Sequence, residues 1–396
     1  MTQTPTTLRV DAVRELAARW LPLLGDDDFV VSPLGLWLAL GAVASGAGGR
    51  TGEEMGELLG VEGAAAAEAV TLGGRWLGQA PDVAVATGVW SRVPVLDAFR
   101  AGLPDVRFGL LPGAVWSALP DDAFGATDDM SLGVIPDAQE ELDAWVRSAT
   151  GGRITRLPLD LDGSEDLVLL NALALKASWL TAFPGHLTRD EPFTDGDGDA
   201  RPVPTMRQRI PAGRVWYVGG VTVVELPCAG EGGVRVRFVL GAEVDGADVD
   251  GAEADGPGDV LPAAWAGADA RRPLVADAAD LSLPRFTLRT KTDAREHLAA
   301  LGLTRAIDPR EADFSGLSPA DLYIAKVVQE AVVEVAEEGV EAAAVTQVTM
   351  PRSAAPSRHE VVERIAFDRP FGVVVLDGSG EVPLFTGWRR SAPPVS

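Results

Sequence analysis

Three histidines, one cysteine and many carboxylates are the side chains of this sequence that could act as nucleophiles, general bases or metal ligands. His186, His297 and His359 lie far apart, and no pair of them has the spacing of a zinc-binding helix. Cys228 has no histidine near it in sequence, and no Gly-x-Ser-x-Gly segment is present to expose a nucleophilic serine. The carboxylates are too numerous for one pair to stand out. These patterns favour a protein that is not an enzyme.

Glycine-rich segments invite a ligand-binding interpretation at three places. Residues 46–52 resemble a phosphate-binding loop, but Ala44 and Arg50 stand where such a loop needs Gly and Lys. The Asp-Gly repeats at 195–199 and 245–259 suggest calcium, yet neither has the ligand spacing or the final Glu of a calcium-binding loop. We therefore expect a helix–turn–helix at the first place and exposed acidic loops at the other two. We expect neither a cofactor nor a metal.

Length and charge limit the class of protein. The 396 residues include 58 acidic and 34 basic ones, a formal net charge of −24 that disfavours nucleic acids and anionic membranes as partners. The single cysteine rules out an internal disulfide framework and is typical of a reducing compartment. The N-terminal residues lack the pattern of a secretory signal, and no apolar run is long enough to cross a membrane. We expect a cytoplasmic protein, with export by another route left open.

Helices and strands are mixed along the chain without strict alternation, which indicates an α+β fold. Ser32 before Pro33 is predicted to cap one helix, and Thr51 with Glu54 to form the capping box of the next. Residues 61–135 have no clear pattern. Periodicity predicts helices over 10–21, 34–45, 52–59, 137–150 and 292–301, and strands over 167–179, 215–224, 234–240, 281–288, 323–335, 365–375 and 382–388.

Residues 337–353 have two faces when read at a period of two. One face carries no charge and no large ring, and the other carries Glu341 and Gln347. This is the alternation of a half-buried strand, although the Ala and Glu content is also typical of a helix. The pattern leaves two interpretations open: an ordinary strand before a linker, or an exposed segment able to enter a sheet. The uncharged face consists of Val340, Ala342, Ala344, Thr346, Val348 and Met350.

Nine segments together resemble the serpin family of serine protease inhibitors, in the family's order and over most of the chain. The hinge Glu337-Glu338-Gly339 with the alanines that follow it, and the C-terminal hairpin, are the most specific of them. The richness in Ala and Gly suggests similarity to a bacterial member. The segments are 29–51, 142–154, 167–183, 188–198, 223–230, 281–288, 301–318, 327–346 and 367–387.

The resemblance implies a single domain over residues 1–396, with about nine helices, three β-sheets (a large sheet A, with B and C) and an exposed reactive loop at about 337–364. It also implies a suicide-substrate mechanism. A serine protease cuts the loop and forms an acyl-enzyme, and the freed loop then inserts into sheet A as a new strand. The implied hinge is Glu337, Glu338, Gly339, Val340, Glu341, Ala342, Ala343 and Ala344.

The scissile bond implied by counting from the hinge is Arg352–Ser353. An arginine there suits a trypsin-like protease, whose specificity pocket holds a carboxylate. Counting back from Phe367 favours the neighbourhood of Arg358 instead, because this loop is longer than usual. The implied partner is a trypsin-like or subtilisin-like serine protease in a 1:1 covalent complex, and the inhibitor itself is expected to be a monomer.

Two further clusters carry over from the family by position. Ser32, Asn171 and Gln329 match the shutter, the cluster under the centre of sheet A. In this chain Gln329 stands where the family usually has a histidine, and Gly35 stands where it usually has a second serine.

Trp179, Arg285 and Glu337 match the breach, the point where the loop enters the sheet. For Trp179, plain core packing is an equally good interpretation. A non-inhibitory protein with the serpin fold, acting in binding or as a chaperone, remains the alternative to inhibition. The small, uncharged face from Val340 to Val348 argues against it.

Overall fold

The computed structural model describes residues 8–80, 82–111, 138–157, 161, 164–230, 233–242, 256–340 and 360–394. The chain forms two compact units, and each unit draws on three separate stretches of sequence. The first comprises Met1–Leu23, Val31–Ala174 and Thr290–Ala331, and the second Leu24–Val30, Leu175–Arg289 and Val332–Ser396.

The described residues form eight α-helices and eighteen strands, in agreement with the predicted α+β class. The helices are α1 (Val10–Trp20), α2 (Pro33–Ala44), α3 (Gly49–Leu59), α4 (Gly63–Gly78), α5 (Asp97–Ala101), α6 (Ala138–Ala149), α7 (Pro257–Val260) and α8 (Arg295–Leu298). The strands are β1 (Phe29–Val31), β2 (Val83–Ser91), β3 (Arg107–Leu110), β4 (Leu167–Leu175), β5 (Ala177–Ser178), β6 (Arg189–Thr194), β7 (Ala200–Pro211), β8 (Val215–Val218), β9 (Val221–Pro227), β10 (Arg235–Leu240), β11 (Arg272–Pro273), β12 (Ala278–Pro284), β13 (Phe286–Asp293), β14 (Ile324–Ala336), β15 (Gly339–Val340), β16 (Val362–Ala366), β17 (Phe371–Leu376) and β18 (Pro383–Arg389).

The described residues form three sheets, as the resemblance implies. Sheet A has the order β3-β2-β4-β14-β15-β5, with β13 also paired to β14. Sheet B has the order β1-β18-β17-β10-β9-β8-β11, and sheet C the order β16-β12-β7-β6. No helix in the described part of the chain is long and apolar enough to cross a membrane.

Helix α2 lies at the centre of the first unit. The Ser32 side chain accepts a hydrogen bond from Gly35 N, and Pro33 occupies the first helical position, as the sequence predicts. Every residue of the helix is buried. A helix that is apolar on all sides needs neighbours on all sides, and α1, α3, α4 and β2 supply them.

The capping box predicted for α3 is wrong. The helix begins at Gly49 after Gly48, so Thr51 and Glu54 lie inside it. Thr51 Oγ1 accepts a hydrogen bond from Asp313 N. The carboxylate of Glu54 accepts hydrogen bonds from the backbone N–H groups of Thr304 and Arg305. Both side chains therefore bind distant loops of the same unit rather than the helix end.

A tryptophan pair joins α6 to sheet A in the first unit. The rings of Trp90 on β2 and Trp145 on α6 lie 5.1 Å apart between centroids. Gly88 and Gly109 make room for them, since a Cβ at either position would overlap the Trp90 ring. Helix α6 ends before Gly151 and Gly152, both with positive φ, as predicted.

Three predicted strands of the second unit are each interrupted. The strand predicted at 215–224 is the hairpin β8–β9, which turns at Gly219-Gly220. The strand predicted at 281–288 is two strands, β12 in sheet C and β13 in sheet A. The strand predicted at 365–375 is likewise divided, into β16 of sheet C and β17 of sheet B. Strands that change sheet keep their apolar composition across the break, so the pattern alone did not show it.

The remaining comparisons with the sequence analysis concern four stretches of the chain. The turn at 195–199 joins β6 to β7 and is closed by Asp195, which accepts hydrogen bonds from the Asp197 and Asp199 amides. The helix predicted at 292–301 is wrong in extent, because α8 covers only four residues and β13 continues to Asp293. Within 61–135, where nothing was predicted, the described residues form α4, β2, α5 and β3. Most of the acidic stretch 245–259 lies outside the described residues.

We expect Glu54→Ala to lower the free energy of unfolding by about 1–3 kcal/mol. The substitution removes the acceptor of three hydrogen bonds, from Thr304 N, Thr304 Oγ1 and Arg305 N. Urea unfolding measures the change. The matched control is Glu53→Ala, one residue away and exposed, which should shift stability by less than about 0.5 kcal/mol. Equal losses in both variants would contradict the assignment.

Candidate functional site

The hinge begins as a short strand inside sheet A. Strand β15 lies between β14 and β5 and runs antiparallel to both. Val340 is opposite Val335 on one side and Ala177 on the other, and its side chain is fully buried. The uncharged face predicted from the sequence therefore starts with a residue that lies in the core of the second unit.

Gly339 is required where β15 passes β5. Its neighbours in register are Ala336 and Ser178. A Cβ at Gly339 would overlap the backbone carbonyl oxygen of Ala177 and approach Ser178 Cα. Since backbone atoms cannot move aside as a flexible side chain can, any residue larger than glycine would force the two strands apart.

Strand β14 has different neighbours in the two units. In the first unit β4 is the direct neighbour of β14, whereas in the second unit β15 lies between β14 and β5. Strands β4 and β5 are nearly continuous in sequence, separated only by Lys176. In the second unit, β15 therefore occupies the strand position next to β14.

Arg285 and Glu337 form an ion pair next to the start of β15. Arg285 Nη2 lies 2.5 Å from Glu337 Oε1, and Thr188 Oγ1 donates to the same oxygen at 2.6 Å. Burial works against the charged form of Glu337, but the hydrogen bonds from Arg285 and Thr188 outweigh it and lower the pKa of the carboxyl below its ordinary 4.5. Thr188 was not singled out by the sequence, since a lone threonine carries no distinguishing pattern.

Trp179 holds the same segment through hydrogen bonds rather than by packing alone. Its indole Nε1 donates to Ala336 O at 2.9 Å, and its backbone N donates to Glu338 O at 2.9 Å. Phe183 N donates to Glu337 O at 2.8 Å. Three consecutive carbonyl groups before Gly339 are therefore bound by one turn of chain, and this turn fixes where the hinge enters the sheet.

An open cavity lies beside the ion pair. Its volume is about 600 Å³, and Phe183, Arg285, Phe286 and the three glutamates Glu334, Glu337 and Glu338 line it. Solvent therefore reaches the guanidinium of Arg285, whose side chain is 41 % exposed. For this reason the ion pair contributes less to stability than a buried pair of the same geometry would.

The second cluster lies in the first unit, on β14, β4 and the start of α2. Gln329 Oε1 accepts a hydrogen bond from Ser32 N at 2.6 Å, and Gln329 Nε2 donates to Ser32 O at 2.9 Å. The same Nε2 lies 3.3 Å from Asn171 Oδ1. All three side chains are buried. The amide of Gln329 thus both donates and accepts, as no aliphatic side chain could at this position.

Asn171 accounts for the glycine at position 35. A Cβ on Gly35 would overlap Asn171 Oδ1 and Leu173 Cδ1. The other end of the Asn171 amide donates to Thr87 Oγ1 at 3.1 Å. Asn171 therefore fills the space that a second serine would need, and Thr87 on β2 is a member of the cluster that the sequence did not indicate.

Part of the predicted site lies outside the described residues. These positions are Glu341, Ala342, Ala343, Ala344, Arg352, Ser353 and Arg358. The described part of the site thus comprises the beginning of the hinge and the two clusters beside β14.

A family model described as "Serpin (serine protease inhibitor)" matches residues 127–391. Serpin-Z2B of Oryza sativa subsp. japonica is 29 % identical over 410 aligned residues that cover 94 % of each chain. Serpin48 of the insect Tenebrio molitor superposes with a TM-score of 0.73 at 22 % identity, covering 98 % of this chain and 99 % of the other. Human thyroxine-binding globulin also superposes with a TM-score of 0.73, at 20 % identity, covering 98 % and 100 %. These relatives come from a plant and from animals and do not support the bacterial origin suggested by the composition.

We expect Gln329→Leu to lower the free energy of unfolding by about 1–3 kcal/mol. Leucine is similar in size, but it leaves Ser32 N and Asn171 Oδ1 without the partners they have now. Chemical unfolding at pH 7 measures the loss. Gln329→His serves as the comparison, because an imidazole can restore one of the hydrogen bonds. A leucine variant as stable as the wild type would show that the amide is dispensable.

The Glu337 ion pair should make stability sensitive to acid. A carboxyl with a lowered pKa stabilises the fold fully above its ordinary value of 4.5, and this contribution is lost as the pH falls through the lowered pKa. Between pH 6 and pH 3 the wild type should therefore lose more stability than Glu337→Gln, by up to about 1 kcal/mol. Thermal unfolding across this range provides the measurement. Parallel curves for the two proteins would exclude a role for the charge.

Proposed function

We propose that this chain, which belongs to the serpin family, inhibits a trypsin-like serine protease by presenting its loop as a substrate and inserting that loop into sheet A after cleavage. Serpins are mostly protease inhibitors and not catalysts, so the coarse function follows from the family. The trypsin-like target and the suicide-substrate mechanism are our inference. The observation that carries it is β15, two hinge residues already paired between β14 and β5.

The strand position that β15 begins could extend along β14. Beyond Val340, the residues on its side of the alternation are Ala342, Ala344, Thr346 and Val348, all uncharged and none larger than Val. A buried unpaired charge there would cost several kcal/mol and a proline would remove a ladder hydrogen bond. The sequence avoids both on this face as far as Pro351. This supports a loop selected to become a central strand.

The proposed reaction is peptide-bond hydrolysis that stops at the acyl-enzyme ester. The protease serine attacks the carbonyl carbon of Arg352, its proton passes through the protease histidine to the leaving amine, and the bond to Ser353 breaks. An ester now joins Arg352 to the protease, and Ser353 carries a new amino terminus. Insertion of the loop then carries the ester away and distorts the protease before water can hydrolyse it. Arg352 provides the guanidinium for a carboxylate in the specificity pocket.

Energy for insertion would come from new backbone hydrogen bonds. About ten of them, at about 0.5–1.5 kcal/mol each, would supply on the order of 10 kcal/mol. This is comparable to the stability of a whole domain, so the uncut form would be kinetically trapped. The hydrogen bonds of Trp179 and the Arg285–Glu337 pair lie where β15 enters the sheet. We infer that they limit the strand formed by the hinge to Gly339 and Val340, the two residues of β15, until the loop is cut.

We also propose action in a reducing compartment, which would be the cytoplasm. Cys228 is the single cysteine of the sequence and is buried, so this chain has no second cysteine with which to form an internal disulfide under oxidising conditions.

Incubation with trypsin tests the proposal. We expect an adduct that survives boiling in SDS, and a released fragment whose N-terminal sequence begins at Ser353. A molecule cut without adduct formation should melt on the order of 20 °C higher than the intact one, since each kcal/mol raises Tm by about 2 °C in a protein of this size.

Two variants serve as matched controls for the position of the bond. Arg352→Ala should abolish the adduct, and Arg358→Ala should leave it intact. The reverse result would move the reactive bond to Arg358. Clean cleavage with no adduct and no rise in Tm would favour a non-inhibitory binding protein instead.

A further inference from the structure

Three arginines surround one buried glutamate in sheet B. Arg237 on β10 donates to Glu225 Oε2 on β9 from Nε at 3.0 Å and from Nη2 at 2.8 Å. Arg214 Nη1 and Arg235 Nη1 both reach the other oxygen, Oε1, at 3.1 and 3.5 Å. A single carboxylate is thus shared by three guanidinium groups, all of them in the second unit.

A fourth guanidinium belongs to the same cluster through Trp216. The Arg237 group lies 5.2 Å from the centre of the Trp216 ring, and the Arg271 group lies 4.9 Å from it. Both distances are within the range of cation–π attraction. Arg271 Nε and Nη2 both donate to Ala266 O, which holds its side chain against the ring.

The cluster around Glu225 therefore carries more positive than negative charge. In the described part of the chain, Glu225 is the one carboxylate that forms an ion pair with Arg214, Arg235 or Arg237, and Arg271 forms none. Burial lowers the pKa of Arg237, and the positive charges of Arg271 and Arg235 lower it further against the opposing effect of Glu225. Four cations around one anion stand out in a chain whose net charge is −24.

The N–H donors that remain belong to the two partly exposed arginines, Arg214 and Arg235. Arg237 has its donors committed, to Glu225 and to the carbonyl groups of Ala264 and Gly380. Arg214 uses only Nη1, and Arg235 uses Nη1 and Nε, which donates to Gly378 O. Their side chains are 36 % and 39 % exposed. Among the described residues, Arg214 Nε and Nη2 and Arg235 Nη2 have no acceptor.

We propose that Arg214 and Arg235 bind an oxyanion of the phosphate or sulfate class, with Glu225 fixing the two side chains and Arg271 adding to the positive field. Guanidinium groups recognise tetrahedral oxyanions through paired N–H···O hydrogen bonds. Two of them anchored on one carboxylate oxygen are already ordered, so little side-chain entropy is lost on binding. A second anion would also relieve the repulsion among the four cations. The ligand is either the free ion or the same group carried as an ester on a saccharide.

Calorimetric titration of the intact chain with inorganic phosphate, at constant ionic strength in chloride buffer, tests the site. The wild type should bind one phosphate saturably. Arg214→Gln/Arg235→Gln should weaken binding at least tenfold, while its Arg237–Glu225 pair keeps the sheet folded. The matched control is Arg100→Gln/Arg310→Gln, which removes the same charge from two exposed positions and should bind as the wild type does.

Two results would overturn the proposal: no saturable binding by the wild type, or equal binding by the Arg214→Gln/Arg235→Gln variant. Two further titrations, with inorganic sulfate and with a sulfated tetrasaccharide, identify the source of the anion. Affinity more than tenfold above that for inorganic sulfate would assign the site to a saccharide ester, and equal affinity would assign it to the free ion. Protease inhibition is not measured in any arm, so the outcome does not depend on the inhibitory function.

Discussion

The pairing of β15 with two neighbours is the constraint on which the rest of the site depends. A central strand must have both of its edges hydrogen-bonded and a side chain of suitable size on the buried face. Gly339 satisfies the first demand because only a glycine fits against the Ala177 carbonyl. Val340 satisfies the second, being apolar and fully buried. Once these two residues are placed, Trp179 and Arg285 have fixed backbone and carboxylate groups to bind.

The two clusters beside β14 use different chemistry. Around Glu337 the contacts involve full charges, so their strength depends on pH and on salt. Around Gln329 the contacts join neutral amides and backbone groups, and their strength does not change with protonation. Where the family usually has a histidine, an amide keeps the hydrogen-bonding capacity without a titrating proton. Acid should therefore loosen the hinge end of sheet A in this chain and leave the Gln329 end unchanged.

The sequence predicted the elements whose signals are local. Ser32 before Pro33 indicates a helix start because one hydroxyl and one fixed φ are enough to define it. The strand predicted at 323–335 is β14, and alternation also predicted a strand from Gly339, although it did not show whether that strand was a hinge. In contrast, Thr51 and Glu54 have the spacing of a capping box, but both side chains bind loops more than 200 positions away in sequence. Local spacing cannot distinguish those two uses of the same groups.

Family resemblance found residues that pattern alone did not. Glu337 and Arg285 are far apart in sequence, and neither has a feature that would pair it with the other before the fold is known. The resemblance missed Thr188 and Thr87, which complete the two clusters. It also did not indicate the arginines around Glu225. Two of them, Arg235 and Arg237, lie on β10, whose register with β9 only the fold reveals.

The length of β15 bears on how the energy of insertion would be released. With Val340 buried, the next residue on the uncharged face of the sequence is Ala342. In the proposed insertion, each later residue of that face as far as Val348 would add a small uncharged side chain and a pair of backbone hydrogen bonds. No single step in such a series is large, because a hydrogen bond contributes only about 0.5–1.5 kcal/mol net. Among the described residues, the contacts that would oppose insertion include the Arg285–Glu337 pair and the hydrogen bond from Gln329 on β14 to Asn171 on β4. If insertion forms many weak hydrogen bonds one after another and breaks strong contacts at only two places, its free-energy barrier lies where those contacts break. On the proposed mechanism, the two clusters would then set the rate of insertion, and the loop sequence would set how far it proceeds.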